Sequence, residues 1–407
     1  MPKLEDYGAC AGMHTIDELR HLAQRLKDKS VLYVNSTAYG GGVAEILIQM
    51  VPLLKELGVS TRWEVIKGSE EFFNVTKKFH NALHGVPADV TAKDFKVFEE
   101  TTEKNLAEMD LNSDFVFMQD PQPAAMVKDR HKYKNQWIWR CHIDVSQPDQ
   151  KVWGFLEPYV KEYDACVFSA PAFARKLPIP QALIPPSIDP LSDKNRDLEP
   201  SEIKKILDRL EIPTDKPLAT QISRFDYLKD PMGVVDAFKG IRPYVDARLL
   251  LVGGAAADDP EGMEVYNKTL EKAKGDPNIK VILLPPGSNV EINAIQRASS
   301  VIMQKSTKEG FGLTVSEALW KGRPVIASAV GGIPLQIVHK HSGILTHSNE
   351  GVTYWLKRLL QEPGFAKTLG ENGRENVRHN FLLTRHLRDY LLLFLFVEHG
   401  YSSLIRV

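Results

Sequence analysis

One segment of the chain reads Gln304-Lys-Ser-Thr-Lys-Glu309-Gly-Phe-Gly-Leu-Thr-Val-Ser-Glu317-Ala-Leu-Trp-Lys-Gly-Arg-Pro-Val325. Its pattern predicts the end of a strand, a loop with two glycines, a helix and a second strand. This order is the repeating unit of a parallel α/β sheet. Ligands of such sheets bind in the loops that follow the strands, so the loop at Glu309 is a candidate site.

The two glutamates of this segment are separated by seven residues, with Glu309 at the start of the loop and Glu317 on the helix. Gly310 and Gly312 allow the backbone to approach a ligand, and the N-terminus of the helix attracts negative charge. One carboxylate can bind hexose hydroxyls and the other ribose hydroxyls. The alternative is that Glu317 is an exposed helix position and that Glu309 only interacts favourably with the helix dipole.

The same alternation of strands and helices extends over most of the chain. With 407 residues, the chain exceeds the size at which one core keeps growing. We therefore predict an α/β fold of two doubly wound, Rossmann-like domains, residues 1–190 and 191–380, that face a central cleft. The first contains six strands and the second five, and the charged segment 192–200 links them. Strands are predicted at 31–34, 60–66, 115–118, 137–139, 165–168, 182–184, 218–222, 248–252, 280–284, 301–304 and 324–327.

The composition restricts the class of partner. A formal charge of −1 gives no general attraction to nucleic acid or to anionic membranes. Three cysteines without C-x-x-C spacing favour a reducing compartment. The first residues do not resemble a signal peptide, and the apolar run at 391–397 is shorter than the ~20 residues that a membrane span needs. We expect a cytoplasmic protein whose last segment is a packed helix.

Three glycines, at 40–42, follow the first predicted strand and lead into a helix. Their N–H groups can receive an anion or a sugar, although a structural tight turn would also explain them. Glu45 stands where the third glycine of G-x-G-x-x-G would be, so NAD binding is not indicated. Gly41 and Gly42 are retained as candidate ligand contacts.

Arg224 and Lys229 follow the first strand of the second domain. A planar guanidinium and an ammonium can together hold a diphosphate, although two solvated surface cations would have the same spacing. The sequence contains no D-x-D, and His80 and His84 have no third partner for zinc. We therefore assign no metal and no required cofactor.

Four polar residues follow strands of the first domain. His142 follows one strand, Asp120 and Gln122 follow another, and Asn35 follows the first. Their positions place them at the edge where ligands bind, although a structural histidine and loop capping are equally ordinary explanations.

Taken together, these residues resemble the retaining GT-B glycosyltransferases, whose signature is the pair of glutamates at Glu309 and Glu317. Five further segments are similar to those of the trehalose glycosyltransferring synthases. They are residues 40–47, 71–83, 120–125, 140–144 and 185–190.

The resemblance implies transfer of glucose from a nucleoside diphosphate glucose to free glucose, giving trehalose with retained configuration in a reaction that can be reversible. It also implies that residues 381–407 pack on the first domain. It assigns no protein nucleophile and leaves the proton acceptor open. The implied catalytic residues are Arg224, Lys229, His142 and Glu309; the donor-binding residues are Gly41, Gly42, Gly310, Phe311, Gly312, Leu313 and Glu317; and the acceptor-binding residues are Asn35, Asp120 and Gln122.

Two other functions remain open. A trehalose phosphorylase would use glucose 1-phosphate, but it would have no ribose for Glu317. A non-catalytic nucleotide-sugar-binding protein would not need the set of Arg224, Lys229, Glu309 and His142. The base of the nucleotide and homo-oligomerisation are not decided by the sequence.

Overall fold

The computed structural model describes residues 2–39, 42–254 and 260–400. The chain folds into two units. The first contains the residues up to Ser187 together with those from Leu383 onward, and the second is Ile188–Leu382. The unit boundary lies between Ser187 and Ile188, whereas the sequence pattern predicts it between residues 190 and 191.

The first unit is built on a parallel sheet, which has six strands among the described residues, in the order β2-β1-β3-β4-β5-β6. Its four inner strands are buried along almost their whole length, as expected for a parallel sheet with helices on both faces. All six strands of this unit were predicted and are confirmed. They are β1 Ser30–Asn35, β2 Ser60–Val65, β3 Phe115–Gln119, β4 Gln136–Cys141, β5 Ala165–Phe168 and β6 Gln181–Leu183.

Two helices of this unit, Glu70–Leu83 and Ala92–Glu108, begin at recognisable capping residues. The side chain of Ser69 accepts the N–H of Phe72 at the start of α4, and Thr91 forms a capping box with Asp94 at the start of α5. The helices are α1 Gly8–Ala11, α2 Met13–Gln24, α3 Gly42–Glu56, α4 Glu70–Leu83, α5 Ala92–Glu108 and α6 Gln150–Val160.

The second unit also has a parallel sheet, with the order β12-β11-β10-β7-β8-β9 in the described part of the chain. Its strands are β7 Leu218–Ile222, β8 Arg248–Gly254, β9 Ile279–Leu284, β10 Val301–Gln304, β11 Val325–Ser328 and β12 Ile344–Thr346. Its helices are α7 Pro200–Arg209, α8 Pro231–Ile241, α9 Pro260–Ala273, α10 Asn289–Ala298, α11 Leu313–Trp320, α12 Ile333–Gln336, α13 Asn349–Gln361 and α14 Pro363–Asn380.

The prediction of five strands in this unit was wrong, because β12 pairs with β11 as a sixth. β12 has only three residues, and its apolar run is too short to be recognised by pattern. The predicted order of strand, loop, helix and strand around Glu309 is confirmed by β10, α11 and β11.

The last described helix, α15 Leu383–Glu398, packs against the sheet of the first unit. The Tyr390 ring lies 5.0 Å from that of Phe117, and the Phe394 ring lies 4.9 Å from that of Phe115. Each large apolar side chain that is removed from water contributes about 1.5–3 kcal/mol to the free energy of folding. This helix is therefore a stable part of the core. The predicted packed helix is confirmed. In the described ranges, no helix combines the length and the apolar character that a membrane span requires.

Candidate active site

The strand order of the second unit reverses between β7 and β10, which pair with each other. β8 lies on one side of this pair and β11 on the other. Ligands of open α/β sheets bind outside the carboxyl ends of the strands at such a reversal. The segments that leave these two strands carry Arg224, Lys229 and Glu309, and the N–H of Thr307 joins them by donating to Leu228 O at 2.7 Å.

Lys229 ends a short 3-10 turn, Tyr227–Lys229, that begins after Asp226. The Asp226 carboxylate accepts the N–H of Leu228 at 2.6 Å. The buried Gln221 of β7 donates from Nε2 to Lys229 O at 2.9 Å. The backbone of Lys229 is therefore fixed before its side chain makes any contact.

The ammonium of Lys229 donates to Glu309 Oε2 at 2.6 Å, and only 15% and 11% of the two side chains are exposed. The same oxygen accepts from Ser306 Oγ at 3.0 Å and from Gln304 Nε2 at 3.4 Å. Bonds to an ionised oxygen are stronger than bonds between neutral groups. The predicted cation and the predicted carboxylate thus form one ion pair, and three donors hold Glu309 in place.

Arg224 lies in a different environment. Its side chain is 65% exposed, and Nη2 donates to Asp226 Oδ2 at 3.0 Å. An exposed pair of this kind contributes little to stability. Arg224 can therefore rearrange at low cost, whereas Lys229 cannot.

Two glycines shape the loop that follows Glu309. Gly312 adopts φ 81° immediately before α11, which favours glycine. Gly331 adopts φ 55°, and a Cβ there would lie 1.6 Å from Glu309 O. Gly332 N donates to Gly310 O at 3.1 Å. The loop after β11 therefore braces the backbone that carries Glu309.

The loop contributes to a site through its backbone more than through its side chains. Phe311 is buried, and its ring packs 5.7 Å from that of Phe381. Leu313 is the first residue of α11, and the first N–H groups of a helix have no partner within the helix. The predicted contacts at 310–313 are thus backbone N–H groups at a helix N-terminus.

Glu317 is buried on α11, so the alternative of an exposed helix position was wrong. Gln296 Nε2 lies 3.4 Å from Oε2, and Lys194 Nζ lies 3.7 Å from Oε1. The buried Lys321 donates to Glu317 O at 3.2 Å and to Asn195 Oδ1 at 2.8 Å. Burial lowers the pKa of Lys321 to about 7, although the charge of Glu317 counteracts part of this effect.

In the first unit the strand order reverses between β1 and β3, and the residues after β3 and β4 meet at the carboxyl edge. Asp120 adopts φ 66°, its N–H donates to Arg140 O at 2.7 Å, and Oδ1 accepts the N–H of His142 at 2.8 Å. Burial raises the pKa of Asp120 to about 6, while the bond from His142 lowers it. Asp120 thus ties the end of β3 to His142.

His142 is largely buried and contacts two polar side chains. Its Nε2 lies 2.9 Å from Gln119 Oε1 and 3.1 Å from Arg140 Nε. Burial holds the pKa of His142 well below its usual value, and the charge of Arg140 acts in the same direction. The ring is therefore neutral at physiological pH.

The other predicted contacts of this unit differ in their environments. Asn35 is buried, with Oδ1 accepting from Trp63 Nε1 at 2.8 Å and Nδ2 donating to Thr37 O at 2.7 Å, so its side chain holds the loop. Gln122 is partly buried, and its Oε1 has no hydrogen-bond partner among the described residues. Gly42 is the exposed first residue of α3. Gly41 lies outside the described residues.

Several residues that shape the site were not identified from the sequence, among them Asp226, Ser306, Gln119 and Arg140. Asp226 and Ser306 lie within three residues of Lys229 and Glu309, and short polar side chains in a loop are a recognisable signal of capping. Gln119 and Arg140 are polar positions near the ends of apolar strands. Both could have been identified by their pattern, because each is a polar residue near the carboxyl end of an apolar strand.

Comparison with known proteins gives the family. The model for the N-terminal domain of trehalose synthase matches residues 33–175, and the model for glycosyl transferases group 1 matches residues 202–376. A trehalose synthase of Pyrococcus horikoshii is 45% identical over 396 residues, which cover 96% of this chain and 95% of that protein. The chain belongs to the trehalose synthase family. It is therefore a glycosyltransferase, and the resemblance seen in the sequence is confirmed.

Two further comparisons place this member of the trehalose synthase family among its neighbours. A trehalose phosphorylase of Pleurotus pulmonarius is 29% identical over 92% of this chain and 58% of that protein. The solved sucrose-phosphate synthase of Thermosynechococcus elongatus has a TM-score of 0.71 at 19% identity, over 90% of this chain and 98% of that one. The likeness to this solved structure confirms the predicted GT-B fold with two Rossmann-like domains.

Proposed function

We propose that this glycosyltransferase forms trehalose by moving glucose from a nucleoside diphosphate glucose to free glucose with retained anomeric configuration. The observation that carries the proposal is the ion pair of Lys229 and Glu309, fixed where the strand order of the second unit reverses, in a chain of the trehalose synthase family. The cytoplasm is the proposed location, because Cys141 and Cys166 are buried thiols outside any disulfide.

Lys229 and Arg224 are the proposed ligands of the diphosphate. When a diphosphate binds, its oxygens can accept hydrogen bonds from the ammonium of Lys229, while Ser306 and Gln304 continue to donate to Glu309. Glu309 is therefore not left without donors. The exposed Arg224 can turn from Asp226 to offer its planar fork to a second phosphate oxygen.

Glu309 and Glu317 are proposed to bind the two sugar rings of the donor. Glu309 and the backbone N–H groups of 310–313 form hydrogen bonds with the hexose hydroxyls, and Glu317 binds the ribose hydroxyls. Glu317 is buried, with Lys194 Nζ 3.7 Å from Oε1, so bonds between its carboxylate and hydroxyls are shielded from water and therefore strong. We retain Gly41 and Gly42 as proposed contacts with the donor.

The first unit is proposed to supply His142 and the acceptor contacts. His142 contacts the donor glucose, and Asp120 and Gln122 contact the acceptor. In the part of the chain that the structure describes, the buried side-chain oxygen of Gln122 has no partner, which suits a sugar hydroxyl. Asn35, whose amide is engaged on both sides, would act by holding its loop.

The chemistry follows from these contacts. As the bond to glucose breaks, negative charge grows on the diphosphate, and Lys229 and Arg224 stabilise that charge. Glu309 is a poor nucleophile because Ser306 and Gln304 still donate to Oε2 after Lys229 has turned to the diphosphate. The acceptor hydroxyl therefore attacks on the side from which the diphosphate leaves, and a phosphate oxygen takes its proton.

A panel of donors tests this proposal. The protein is incubated with glucose and UDP-, ADP- or GDP-glucose, and in a parallel reaction with glucose 1-phosphate, and disaccharide is followed by NMR. Trehalose from a nucleotide sugar supports the proposal. Trehalose from glucose 1-phosphate alone would identify a phosphorylase, and no disaccharide from any donor would indicate a binding protein.

A further inference from the structure

The side chain of Gln221 joins the two segments that carry Lys229 and Glu309. Gln221 lies near the carboxyl end of β7 and is only 1% exposed. Its Nε2 donates to Lys229 O at 2.9 Å, and its Oε1 accepts the N–H of Lys305 at 3.1 Å. Lys305 directly follows β10. One buried amide therefore connects the chain after β7 to the chain after β10, where the strand order of the second unit reverses.

The orientation of this amide follows from the chemistry of its two backbone partners. The carbonyl oxygen of Lys229 can only accept a hydrogen bond, and the backbone N–H of Lys305 can only donate one. A half-turn of the amide would direct N–H at N–H and oxygen at oxygen. Ser223 Oγ lies 3.5 Å from Nε2 and can accept its other hydrogen. Only one orientation of Gln221 therefore satisfies both backbone groups.

The residues on either side of Lys229 are held to the same segment. The N–H of Thr307 donates to Leu228 O at 2.7 Å. The Asp230 carboxylate pairs with the ammonium of Lys305, and the two side chains are only 25% and 14% exposed. Three successive residues are thus connected to the segment after β10 by contacts that do not involve the ammonium of Lys229.

This arrangement matters because the ammonium of Lys229 has two alternative partners. It pairs with Glu309 in the structure, and in the proposed function it turns to the diphosphate. The contacts of its backbone do not depend on which partner it has. Groups that are fixed before the reaction stabilise developing charge without a cost of reorganisation.

We propose that Gln221 is a positioning residue for the donor site. By joining Lys229 O to the N–H of Lys305, its amide fixes the ammonium of Lys229 relative to Glu309 and to the bound diphosphate. The part of the proposal that concerns the diphosphate rests on the proposed function, whereas the part that concerns the pair of Lys229 and Glu309 does not.

Gln221→Met tests the proposal, because it removes both hydrogen bonds at similar side-chain size. We expect kcat/KM for the donor to fall at least about tenfold. Thr220→Val is the matched control. Thr220 is the preceding residue of β7, is buried on the opposite face and accepts a hydrogen bond from Ser299 Oγ at 2.7 Å. Its replacement should lower stability and keep kcat/KM within about twofold of wild type.

A double-mutant cycle with Lys229→Met separates positioning from a general loss of structure. If Gln221 acts through the ammonium of Lys229, Gln221→Met should lower kcat/KM less than about twofold once that ammonium is absent. An equal loss in both backgrounds would overturn the positioning role. If Gln221→Met does not fold, Gln221→Asn takes its place in the cycle, because its amide is one methylene too short to reach both partners.

The same four proteins, compared in denaturant without substrate, test the part that does not depend on the reaction. Lys229→Met should destabilise the Gln221→Met protein less than about half as much as it destabilises wild type, because the ion pair with Glu309 is already weakened. Equal destabilisation in both backgrounds would overturn the proposal even if the enzyme makes trehalose. If the cycle shows this coupling but Lys229→Met keeps wild-type kcat/KM, the proposed contact with the diphosphate fails while the positioning of Lys229 by Gln221 stands.

Discussion

Replacing Lys229 with methionine removes the ammonium and keeps most of the apolar side chain. In the folded protein the change breaks the 2.6 Å bond to Glu309 Oε2 but leaves the donors Ser306 and Gln304. A buried carboxylate that loses its partner entirely costs about 3–5 kcal/mol. Because two donors remain, we expect a smaller loss of about 1–3 kcal/mol, measured as the free energy of unfolding in denaturant.

The effect on activity has a separate origin. Lys229 is proposed to make one charge-assisted contact with the diphosphate, and such a contact contributes about 1.5–3 kcal/mol. This predicts a loss of about ten- to 150-fold in kcat/KM. The assay is the release of nucleoside diphosphate from the donor with glucose as acceptor.

A second substitution separates the two effects. Glu309→Gln in the Lys229→Met background removes the unpaired carboxylate, so it should restore part of the stability but none of the activity. Lys239→Met, at an exposed position of α8, is the matched control and should change neither. A kcat/KM of Lys229→Met within twofold of wild type would refute the role of Lys229, whatever happens to stability.

Three further changes test other parts of the site. Glu317→Gln should weaken the binding of nucleoside diphosphate at least about tenfold in calorimetry, and an unchanged Kd would exclude the ribose contact. Gly331→Ala must displace Glu309 O, so turnover and Tm should both fall. Gly275→Ala is the matched control, because Gly275 also has a positive φ but no described atom lies within 4 Å of the added Cβ; it should lower Tm and leave turnover intact. Equal turnover in the two variants would show that the contact of Gly331 with Glu309 O is unimportant for activity. Asp120→Asn tests the raised pKa of Asp120. The pKa is about 6 in the folded protein and near 4 in the unfolded chain. Ionisation of Asp120 therefore lowers the free energy of unfolding as the pH rises from about 4 to 6. Relative to wild type, the variant should gain stability from about pH 4 to pH 6, and a constant difference in unfolding free energy would contradict the shift.

The sequence predicted the features that depend on pattern. Apolar runs identified both sheets except β12, which has three residues of which only two are apolar and therefore gives little signal. The segment around Glu309 was predicted correctly as strand, loop, helix and strand, because its glycines and its apolar residues both indicate this order. The packed terminal helix followed from the apolar run at 391–397.

The sequence did not predict how the candidate residues pair with each other. Lys229 and Glu309 are 80 residues apart and were treated as ligands of different groups, whereas the structure joins them directly. The contact arises because β7 and β10 are neighbours, which the order of strands along the chain does not reveal. Gln119 and Arg140 were missed for the same reason, since their role depends on the register of β3 and β4.

The most direct test of the proposed reaction uses glucose labelled with ¹³C at C1 as acceptor and an unlabelled nucleoside diphosphate glucose as donor. The account predicts trehalose in which one of the two anomeric carbons carries the label, and both have the α configuration in the NMR spectrum. A disaccharide in which the labelled carbon remains a free reducing end would contradict the 1,1 linkage. A β configuration at the unlabelled anomeric carbon would contradict retention.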